Sequence, residues 1–298
     1  MNIGVIGLGK MGRIIAKKLS INGINTIGYD SDPKQREIAE NNQIKVTKNL
    51  DSMLNNIHSP KIIWLMLPHG KPTETTIKEL SKKLFKDDIV IDGGNSFFKD
   101  SIRRGKLLKS KEIDFFDVGT SGGIAGEKHG FSLMVGGDSN LFTKIEKIFK
   151  ILSASKTSYG RVGPIGSGHF VKMIHNAIEY GMMESLTEGF SLLTNQNNID
   201  SWKFDLHQIS KIWGNGSVIR SWLLDLISNI TEKKEYENLN SVVNDSGEGR
   251  WAIQEAIEQG TPIPSITSAT FARFYSQNKN ITSSKLLVGL RKAFGGHT

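Results

Sequence analysis

Five polar side chains that can move protons or bind hydroxyl groups lie close together in the stretch GHFVKMIHNAIEYGMMESLTEG. They follow the spacing i, i+3, i+4, i+7 and i+8, which normally gives a helix its apolar, core-facing side. Desolvation favours the neutral form of a lysine amine, which can then accept a proton, and a carboxylic acid two turns later can return one. The stripe therefore predicts a base and an acid among the polar groups of one helix; its members are Lys172, His175, Asn176, Glu179 and Tyr180.

Apolar residues flank this polar stripe on the same predicted helix, at Phe170, Ile174, Ile178, Met182 and Leu186. Burying the stripe in a hydrophobic core would leave polar groups unpaired, whereas a fully solvated stripe would not need such flanks. We therefore expect a buried helix whose polar side lines a pocket. Taken singly, Lys172 and Glu179 also fit a surface ion pair, and His175 fits a hydrogen-bonded core histidine.

A dinucleotide-binding loop is predicted at VIGLGKMG, which has the spacing GxGxxG between a β-branched strand and a helical pattern. The first glycine allows the tight turn, the second lets the backbone approach a pyrophosphate, and the third lets the helix pack against the strand. The alternative is a glycine-rich turn that binds no ligand. The predicted cofactor-binding residues of this loop are Gly7, Leu8, Gly9, Lys10, Met11 and Gly12.

Asp30 ends a second predicted strand at about 20 residues beyond the glycine loop, where a carboxylate accepts hydrogen bonds from the adenosine ribose. A carboxylate there repels a 2′-phosphate, so NAD is favoured over NADP. Lys34 and Arg36 lie close enough in the sequence to leave NADP possible. Asp30 also fits a turn residue that opens the segment DSDP.

Three further apolar runs end in polar or glycine-rich residues, in the segments WLMLPHG, IVIDGGNS and FFDVGTSGG. Ligands bind beyond the carboxyl ends of the strands in an open parallel sheet. Because Asn and Ser are also common helix N-caps, any one of these segments alone fits an ordinary loop. Together with the glycine loop they predict a substrate cleft, and the predicted cofactor-binding residues at these strand ends are Leu67, Pro68 and Asn95.

The composition is that of a globular protein: 298 residues, 38% hydrophobic, with 31 glycines and no cysteine. No apolar run approaches the roughly 18 residues needed to span a bilayer. The absence of cysteine excludes disulfides and thiolate zinc sites and suits a cytoplasmic location. The net charge of +8 is dispersed, which favours an anionic small substrate over nucleic acid.

Short apolar runs alternate with helical patterns in the first half of the chain, and helical patterns dominate after about Gly166. The alternation predicts an N-terminal Rossmann-type α/β domain, a doubly wound parallel sheet with helices on both faces. We expect this domain over residues 1–165 and an all-α substrate-binding and oligomerisation domain over residues 166–298.

Several long segments together resemble the family of decarboxylating 6-phosphogluconate dehydrogenases, from end to end: GLGKMG, IDGGNS, GTSGGIAGEKHGFSLMVGG, GHFVKMIHNAIEYGMME, GSVIRSWLLDL, DSGEGRW and LRKAFGGH. The resemblance implies a metal-independent oxidative decarboxylation of 6-phosphogluconate to ribulose 5-phosphate, a step of the pentose phosphate pathway. It implies that Lys172 is the base and Glu179 the acid. It assigns the sugar hydroxyls to Asn95, Ser121, Gly122, Gly123, His175 and Asn176.

The phosphate ligands that the resemblance implies are Tyr180, Arg273, Arg291 and His297. In the family, the C-terminal tail that carries the last two of these residues, here in the segment LRKAFGGH, reaches the active site of a neighbouring subunit. The resemblance therefore implies a homodimer or homotetramer. Two departures fit a short, NAD-preferring branch: Ser246 stands where the long enzymes have a phosphate-binding lysine, with Arg250 close by, and YDSDP lacks the asparagine-arginine-threonine run of NADP-using members.

Two other interpretations of the sequence stay open. A β-hydroxyacid dehydrogenase of the 3-hydroxyisobutyrate or tartronate semialdehyde type shares the glycine loop, the Ser-Gly-Gly loop and the helix lysine, but gives no reason for IEYGMME, DSGEGRW and the tail. A catalytically silent dinucleotide sensor or a basic nucleic-acid-binding protein would not need both Lys172 and Glu179.

Overall fold

A computed structural model describes residues 1–195, 202–278 and 282–295. The chain divides into two compact units, residues 1–175 and residues 176–298. The division falls ten residues after the expected end of the first domain, because the first turns of one long helix pack on the sheet. The boundary between 165 and 166 stays a prediction about domains.

The first unit is built on a seven-stranded sheet. The strands are β1 Asn2–Ile6, β2 Asn25–Tyr29, β3 Ile62–Leu65, β4 Ile89–Asp92, β5 Asp114–Ser121, β6 Ser132–Gly136 and β7 Tyr159–Gly163. Their order in the sheet is β2-β1-β3-β4-β5-β6-β7. All neighbouring strands pair in parallel except β5 with β6, which pair antiparallel.

Helices cover both faces of this sheet because alternate residues of the central strands point to opposite sides. These helices are α1 Lys10–Ile21, α2 Pro33–Asn41, α3 Leu50–Asn55, α4 Lys71–Lys83, α5 Phe98–Lys109, the short α6 Gly126–His129 and α7 Ser139–Leu152. Ile3, Val5 and Trp64 belong to one buried core, which they form with α1, α2 and α7. Ile63 and Leu65 belong to a second buried core, which they form with α3, α4 and α5. A 3₁₀ turn at Gly123–Ala125 precedes α6.

The strands β1, β3 and β4 end level with one another, since Ile6 pairs with Leu65 and Leu65 with Asp92. Asp92 pairs with Asp117, and β5 continues beyond this point to Ser121. The loops that follow these strands therefore meet at one edge of the sheet. The strand order reverses between β1 and β3, and such a switch point is where open α/β sheets bind ligands.

The doubly wound sheet predicted from the sequence is confirmed. Six of its strands correspond to the apolar runs, whereas β7, near the end of the predicted first domain, has no such run. Residues of β7 are half-buried or exposed, because this strand forms the edge of the sheet. An edge strand lacks the continuous apolar run that marks a buried parallel strand.

The second unit is helical, as predicted. It contains most of α8 Ser167–Thr194, which begins in the first unit, followed by α9 Leu206–Gly214, α10 Trp222–Glu232, α11 Glu248–Gln259, α12 Pro264–Gln277 and α13 Thr282–Gly295. A 3₁₀ turn at Glu235–Asn238 follows α10. Asp205 and Ser221 cap α9 and α10, where each side chain accepts a backbone N–H of the first turn.

The apolar flanks of the polar stripe are less covered than the sequence suggested. Ile178 is 49% exposed and Met182 is 44% exposed, so the expectation of a buried helix is wrong for this part of α8. Lys172 and Tyr180, by contrast, are buried. None of the helices in the described ranges has the length and apolar character needed to cross a bilayer.

Candidate active site

The glycine loop joins β1 to α1 in a tight turn. The N–H of Gly7 donates to the Tyr29 carbonyl oxygen at 2.9 Å, and Gly7 has a φ of +91°, which a residue with a side chain rarely adopts. A Cβ added at Gly12 would collide with the Gly7 carbonyl oxygen, whereas a Cβ at Gly9 would meet no atom within 4 Å. Other backbone atoms therefore pack tightly against Gly7 and Gly12, whereas the space next to Gly9 is open.

This open surface fits the pyrophosphate of a dinucleotide. Gly9 is the N-cap of α1, and no side chain of the described residues caps this helix. The backbone N–H groups of its first turn, from Lys10 to Gly12, remain for phosphate oxygens, which the positive end of the helix dipole also attracts.

Asp30 lies directly after β2 and supports the glycine loop. Its Oδ2 accepts the Leu8 N–H at 2.7 Å, and its Oδ1 accepts the Asp32 N–H at 2.9 Å. Arg36 donates to the Asp30 carbonyl oxygen at 2.7 Å and to the Ser31 carbonyl oxygen at 3.2 Å. The end of β2 thus has a carboxylate that supports the glycine loop and an arginine fixed beside it.

A buried arginine joins the loops that follow β3 and β4. Arg104 is 1% exposed and donates to Asp92 Oδ2 at 3.3 Å, to Ser96 Oγ at 3.2 Å and to the Gly70 carbonyl oxygen at 3.4 Å. Ser96 also donates to Asp92 Oδ2 at 2.8 Å. The segment from Asp92 to Ser96, which contains Asn95, is therefore held from inside the protein.

Glu74, on α4, completes the environment of this arginine. Its carboxylate accepts hydrogen bonds from Arg103 at 2.7 and 2.8 Å and from Arg104 Nε at 3.2 Å. The hydrogen bonds from Arg103 are the main cause that lowers the pKa of Glu74 to about 2; those from Arg104 and Lys78 and the charge of Arg103 act in the same direction, while burial opposes them. Glu74 is thus ionised throughout the neutral range, which neutralises charge next to the buried guanidinium.

The remaining strand-end residues lie at the same edge. Asn95 is half-buried, and Thr120 Oγ1 donates to the Gly93 carbonyl oxygen at 3.4 Å, which joins the loop after β4 to the end of β5. Pro68 is exposed, and its carbonyl oxygen accepts Thr73 Oγ1 at 2.7 Å. Leu67 packs against the core on one sheet face.

Asp117 and Gly119 seat the start of α8 on the end of β5. The buried Asp117 carboxylate accepts the Gly166 N–H at 2.6 Å and the His169 N–H at 2.8 Å. A Cβ added at Gly119 would collide with the Lys172 Cβ and lie 2.8 Å from the Gly168 carbonyl oxygen. The helix backbone therefore lies directly on the strand, which fixes where Lys172 emerges.

Lys172, His175 and Ser121 form a hydrogen-bonded chain in the first unit. Lys172 is 9% exposed, and its Nζ lies 3.5 Å from His175 Nδ1. His175 Nε2 lies 3.3 Å from Ser121 Oγ. Because a neutral imidazole has one donor nitrogen and one acceptor nitrogen, His175 can link the lysine amine to the serine hydroxyl through one hydrogen bond to each. Gly122 and Gly123 follow Ser121, with Gly123 exposed.

His175 is exposed and is not a core histidine. The core histidine of this region is His169, which is 1% exposed and lies 2.7 Å from Ser101 Oγ through its Nδ1. The sequence motif contains both histidines, and helical spacing alone placed His175 on the polar face.

In the second unit, the buried Tyr180 contacts the side chains of Ser246 and Arg273. Its hydroxyl lies 3.2 Å from Ser246 Oγ and accepts the Ser246 N–H at 3.2 Å. The Arg273 guanidinium stacks 3.6 Å from the centre of the Tyr180 ring and donates to the Asn244 carbonyl oxygen at 3.1 Å. Asn176, one turn before Tyr180, donates through Nδ2 to Glu248 Oε1 at 3.0 Å.

The structure brings together only part of the predicted phosphate site. Arg291 lies on α13 with an exposed side chain, and His297 lies outside the described residues. Glu179 is half-buried on α8. Arg250 is engaged by Asp245 at 2.8 and 2.9 Å and lies 4.4 Å over the Phe274 ring.

Three residues of this region were not assigned a role from the sequence: Asp117, Arg104 and Glu248. Asp117 lies within the buried strand β5, and a carboxylate inside an apolar run is a detectable signal of a special role. Arg104 lies in the helical segment DSIRRG, where an arginine is typical of a solvated face. Among the described residues no group of three or more acidic or histidine side chains is arranged to hold a metal ion.

A glycine loop at the switch point, a carboxylate after the next strand and a lysine-bearing helix against the same sheet edge are typical of a dehydrogenase that uses a nicotinamide dinucleotide. Residues 2–162 match the model of the NAD binding domain of 6-phosphogluconate dehydrogenase. Residues 168–295 match the model of the 6-phosphogluconate dehydrogenase C-terminal domain. The chain belongs to the 6-phosphogluconate dehydrogenase family, as its motifs indicated.

Individual relatives agree with this assignment. The NAD(+)-dependent, decarboxylating 6-phosphogluconate dehydrogenase of Haloferax volcanii is 36% identical, over 100% of this chain and 98% of its own length. The solved structure of Plasmodium falciparum 6-phosphogluconate dehydrogenase, described apo, with NADP+ and with 6-phosphogluconate, is 28% identical with a TM-score of 0.84. The match covers 99% of this chain and 65% of that longer one.

The 3-hydroxyisobutyrate type of enzyme is a more distant relative. The Mycobacterium tuberculosis 3-hydroxyisobutyrate dehydrogenase has a TM-score of 0.74 at 16% identity, covering 93% of this chain and 94% of that chain. This level of identity indicates a shared fold.

Proposed function

We propose that the protein catalyses the oxidative decarboxylation of 6-phospho-D-gluconate to D-ribulose 5-phosphate and carbon dioxide, with NAD as the preferred hydride acceptor. The observation that carries the proposal is the seat of α8: Asp117 and Gly119 hold the helix against the sheet edge so that Lys172 meets His175 and Ser121 there. The family match supplies the substrate class.

Lys172 is the base of the oxidation. Its neutral amine takes the proton of the C3 hydroxyl while the C3 hydrogen leaves as hydride to the nicotinamide ring, which is the chemistry that the dinucleotide supplies when bound. A buried position favours the neutral amine, because burial disfavours charge. His175 and Ser121 hold the amine in place and bind neighbouring sugar hydroxyls.

The protonated Lys172 then assists the loss of carbon dioxide. Its ammonium group gives its proton to the new C3 keto oxygen while the C1–C2 bond breaks, and the electron pair of that bond moves into the C2–C3 bond to give an enediol. Glu179 delivers a proton to the former C2, which becomes C1 of ribulose 5-phosphate, while the C3 hydroxyl returns its proton to Lys172 and the carbonyl re-forms. The substrate has then lost one hydride, carbon dioxide and the C3 hydroxyl proton, and it has gained one proton on carbon.

The spacing along α8 suits a phosphorylated six-carbon acid. Residues at i and i+8 of a helix lie about 12 Å apart along its axis. With Lys172 at C3, Asn176 takes a sugar hydroxyl, and Tyr180, Ser246 and Arg273 take the phosphate. Asn95 and the loop from Ser121 to Gly123 contact the hydroxyls from the sheet side.

The coenzyme preference and the assembly are part of the same proposal. Asp30 disfavours a 2′-phosphate by charge, although Arg36 nearby keeps NADP usable. Arg291 and His297 of a second copy complete the phosphate site, so the active form is a homodimer or homotetramer. A cytoplasmic location stays a prediction from the cysteine-free composition.

The test is an assay of the purified protein with 6-phosphogluconate and, in parallel, NAD or NADP. We expect NADH formation with release of one carbon dioxide per NADH, and Lys172→Ala abolishing turnover while NAD still binds. Lys147→Ala, an exposed lysine on α7, is the matched control. Turnover of 3-hydroxyisobutyrate or unphosphorylated gluconate without turnover of 6-phosphogluconate would overturn the proposal.

A further inference from the structure

Glu248, in the motif DSGEGRW, is a carboxylate that the reaction above does not use. It is the first residue of α11 and is 1% exposed. A carboxylate is favourable at the positive end of a helix, but an almost fully buried one also needs hydrogen-bond donors. The donor that lies across from it is a residue of the polar stripe: Asn176 Nδ2, at 3.0 Å from Glu248 Oε1.

The start of α11 packs closely against α8 and α12. A Cβ added at Gly249 would lie 3.0 Å from Tyr180 Cε2 and 2.7 Å from Thr270 Oγ1. The glycine therefore permits contact of the α11 backbone with the Tyr180 ring and with α12. Glu248 is thereby held opposite Asn176, one helical turn from Tyr180.

This contact decides which way the Asn176 amide faces. An ionised carboxylate accepts hydrogen bonds and donates none, so it takes the NH₂ side of an amide. The carbonyl Oδ1 of Asn176 must then face away from Glu248. An amide without such a partner can turn over and present NH₂ instead.

We propose that Glu248 is a positioning residue that orients the Asn176 amide so that its carbonyl oxygen accepts a hydrogen bond from a substrate hydroxyl. The inference rests on the proposed function, in which Asn176 binds the sugar. Glu248 does not touch the substrate in this arrangement and acts through Asn176. The class of ligand group it selects is a hydroxyl donor.

The first test compares Glu248→Gln, Asn176→Ala and the double variant. The glutamine has nearly the same shape, but it can form a hydrogen bond with the Asn176 amide in either orientation, as acceptor or as donor. We therefore expect the KM for 6-phosphogluconate to rise about tenfold. The KM for NAD and the Tm should stay near those of the wild type. In the Asn176→Ala background, Glu248→Gln should have no further effect on the KM.

A second variant keeps the inference testable if Glu248→Gln folds poorly. Asn176→Asp alone places a second carboxylate next to that of Glu248, so the two negative charges repel each other. Adding Glu248→Gln supplies an NH₂ donor to the new carboxylate, whose second oxygen still accepts from the substrate. We expect this double variant to recover the KM about tenfold relative to Asn176→Asp alone.

Glu258→Gln is the matched control, because this glutamate is exposed on the same helix. The inference is overturned if Glu248→Gln leaves the KM unchanged, if its effect multiplies with that of Asn176→Ala, or if it changes the KM no more than Glu258→Gln. A wild-type protein without 6-phosphogluconate turnover would instead overturn the proposed function. Calorimetric binding of 6-phosphogluconate to each variant separates the two, since it does not require turnover.

Discussion

The Asp117 carboxylate accepts the backbone N–H of His169 at 2.8 Å, three residues before Lys172. Its other oxygen accepts the Gly166 N–H at 2.6 Å. A residue within β5 thus caps the helix that bears the proposed base. Both oxygens of the carboxylate are used, which an amide side chain cannot reproduce, because one of its two polar atoms is a donor.

Asp117→Asn should therefore disturb the start of α8 and the position of Lys172. We expect the free energy of unfolding to fall by about 1–3 kcal/mol, as for a buried group left without its partner. The kcat for 6-phosphogluconate should fall at least about tenfold, with the KM for NAD unchanged. Urea unfolding and steady-state kinetics measure both effects.

Asp138→Asn is the control for this variant. Asp138 caps α7, and its Oδ1 alone accepts the N–H groups of Asn140 and Leu141 at 2.8 and 3.0 Å. An amide oxygen can do the same, since asparagine is an equally good N-cap. Equal losses of kcat in the two variants would contradict the positioning of α8 by Asp117.

Glu74 gives the protein a component of stability that depends on pH. Its pKa is lowered from 4.5 to about 2, mainly by hydrogen bonds from Arg103. A group whose pKa is lower in the folded state stabilises that state above its unfolded pKa, and the contribution disappears as the pH falls through the folded value. The stabilisation by Glu74 is complete above about pH 4.5 and is lost toward pH 2.

Glu74→Gln should cost about 2–4 kcal/mol at pH 7, because it leaves the buried Arg104 with less compensating charge. The difference in Tm between the wild type and the variant should narrow as the pH falls from 5 to 3. Glu79→Gln is the control on the same helix, since Glu79 is 48% exposed and pairs with Lys83 at 3.4 Å. A difference for Glu74→Gln that stays constant with pH would refute this account.

Asp30 should determine the coenzyme ratio. Asp30→Asn removes the charge that disfavours a 2′-phosphate and weakens the acceptor for the ribose and for the Leu8 N–H. We expect the ratio of kcat/KM for NAD over NADP to fall at least about tenfold. Asp32→Asn is the control, since Asp32 is exposed, and its Oδ1 accepts the Lys34 N–H at 2.9 Å, which an amide oxygen can replace. An unchanged ratio in Asp30→Asn would show that another residue selects the coenzyme.

The phosphate end should depend on Arg273 more than on Arg250. Arg273→Ala removes the guanidinium stacked on Tyr180, and we expect the KM for 6-phosphogluconate to rise by about a hundredfold, with any slow turnover of gluconate unaffected. Arg250→Ala should change this KM less than about threefold, because Asp245 already neutralises that arginine, which is 54% exposed. A larger effect at Arg250 would mean that this residue takes the place of the family lysine at Ser246.

The sequence predicted the sheet because its strands are short apolar runs bounded by turn residues, and it predicted the polar face of α8 because helical spacing is a local property. Residues that act through long-range contacts were not accessible in this way. Glu248 lies 72 residues from Asn176, and Arg104 lies 30 residues from Glu74. The spacing of Asn176 cannot indicate that a carboxylate fixes its amide.

Burial was also less predictable than secondary structure. Ile178 and Met182 follow the spacing of a core-facing stripe but remain exposed in this chain. Arg103 and Arg104 are neighbours with the same local sequence, yet one is 53% exposed and the other 1%. Which of the two enters the interior depends on where Asp92 and Ser96 lie in three dimensions.

The Arg104 cluster has a consequence for how this sequence can diverge. The arginine binds Asp92, Ser96 and Glu74 with side-chain hydrogen bonds inside the protein, so a change at one position leaves a polar group of another unpaired. Lysine cannot replace the forked guanidinium at several acceptors at once. Homologous chains should therefore keep these four residues as a set or replace the whole set together, and the glutamate should covary with the arginine 30 positions later.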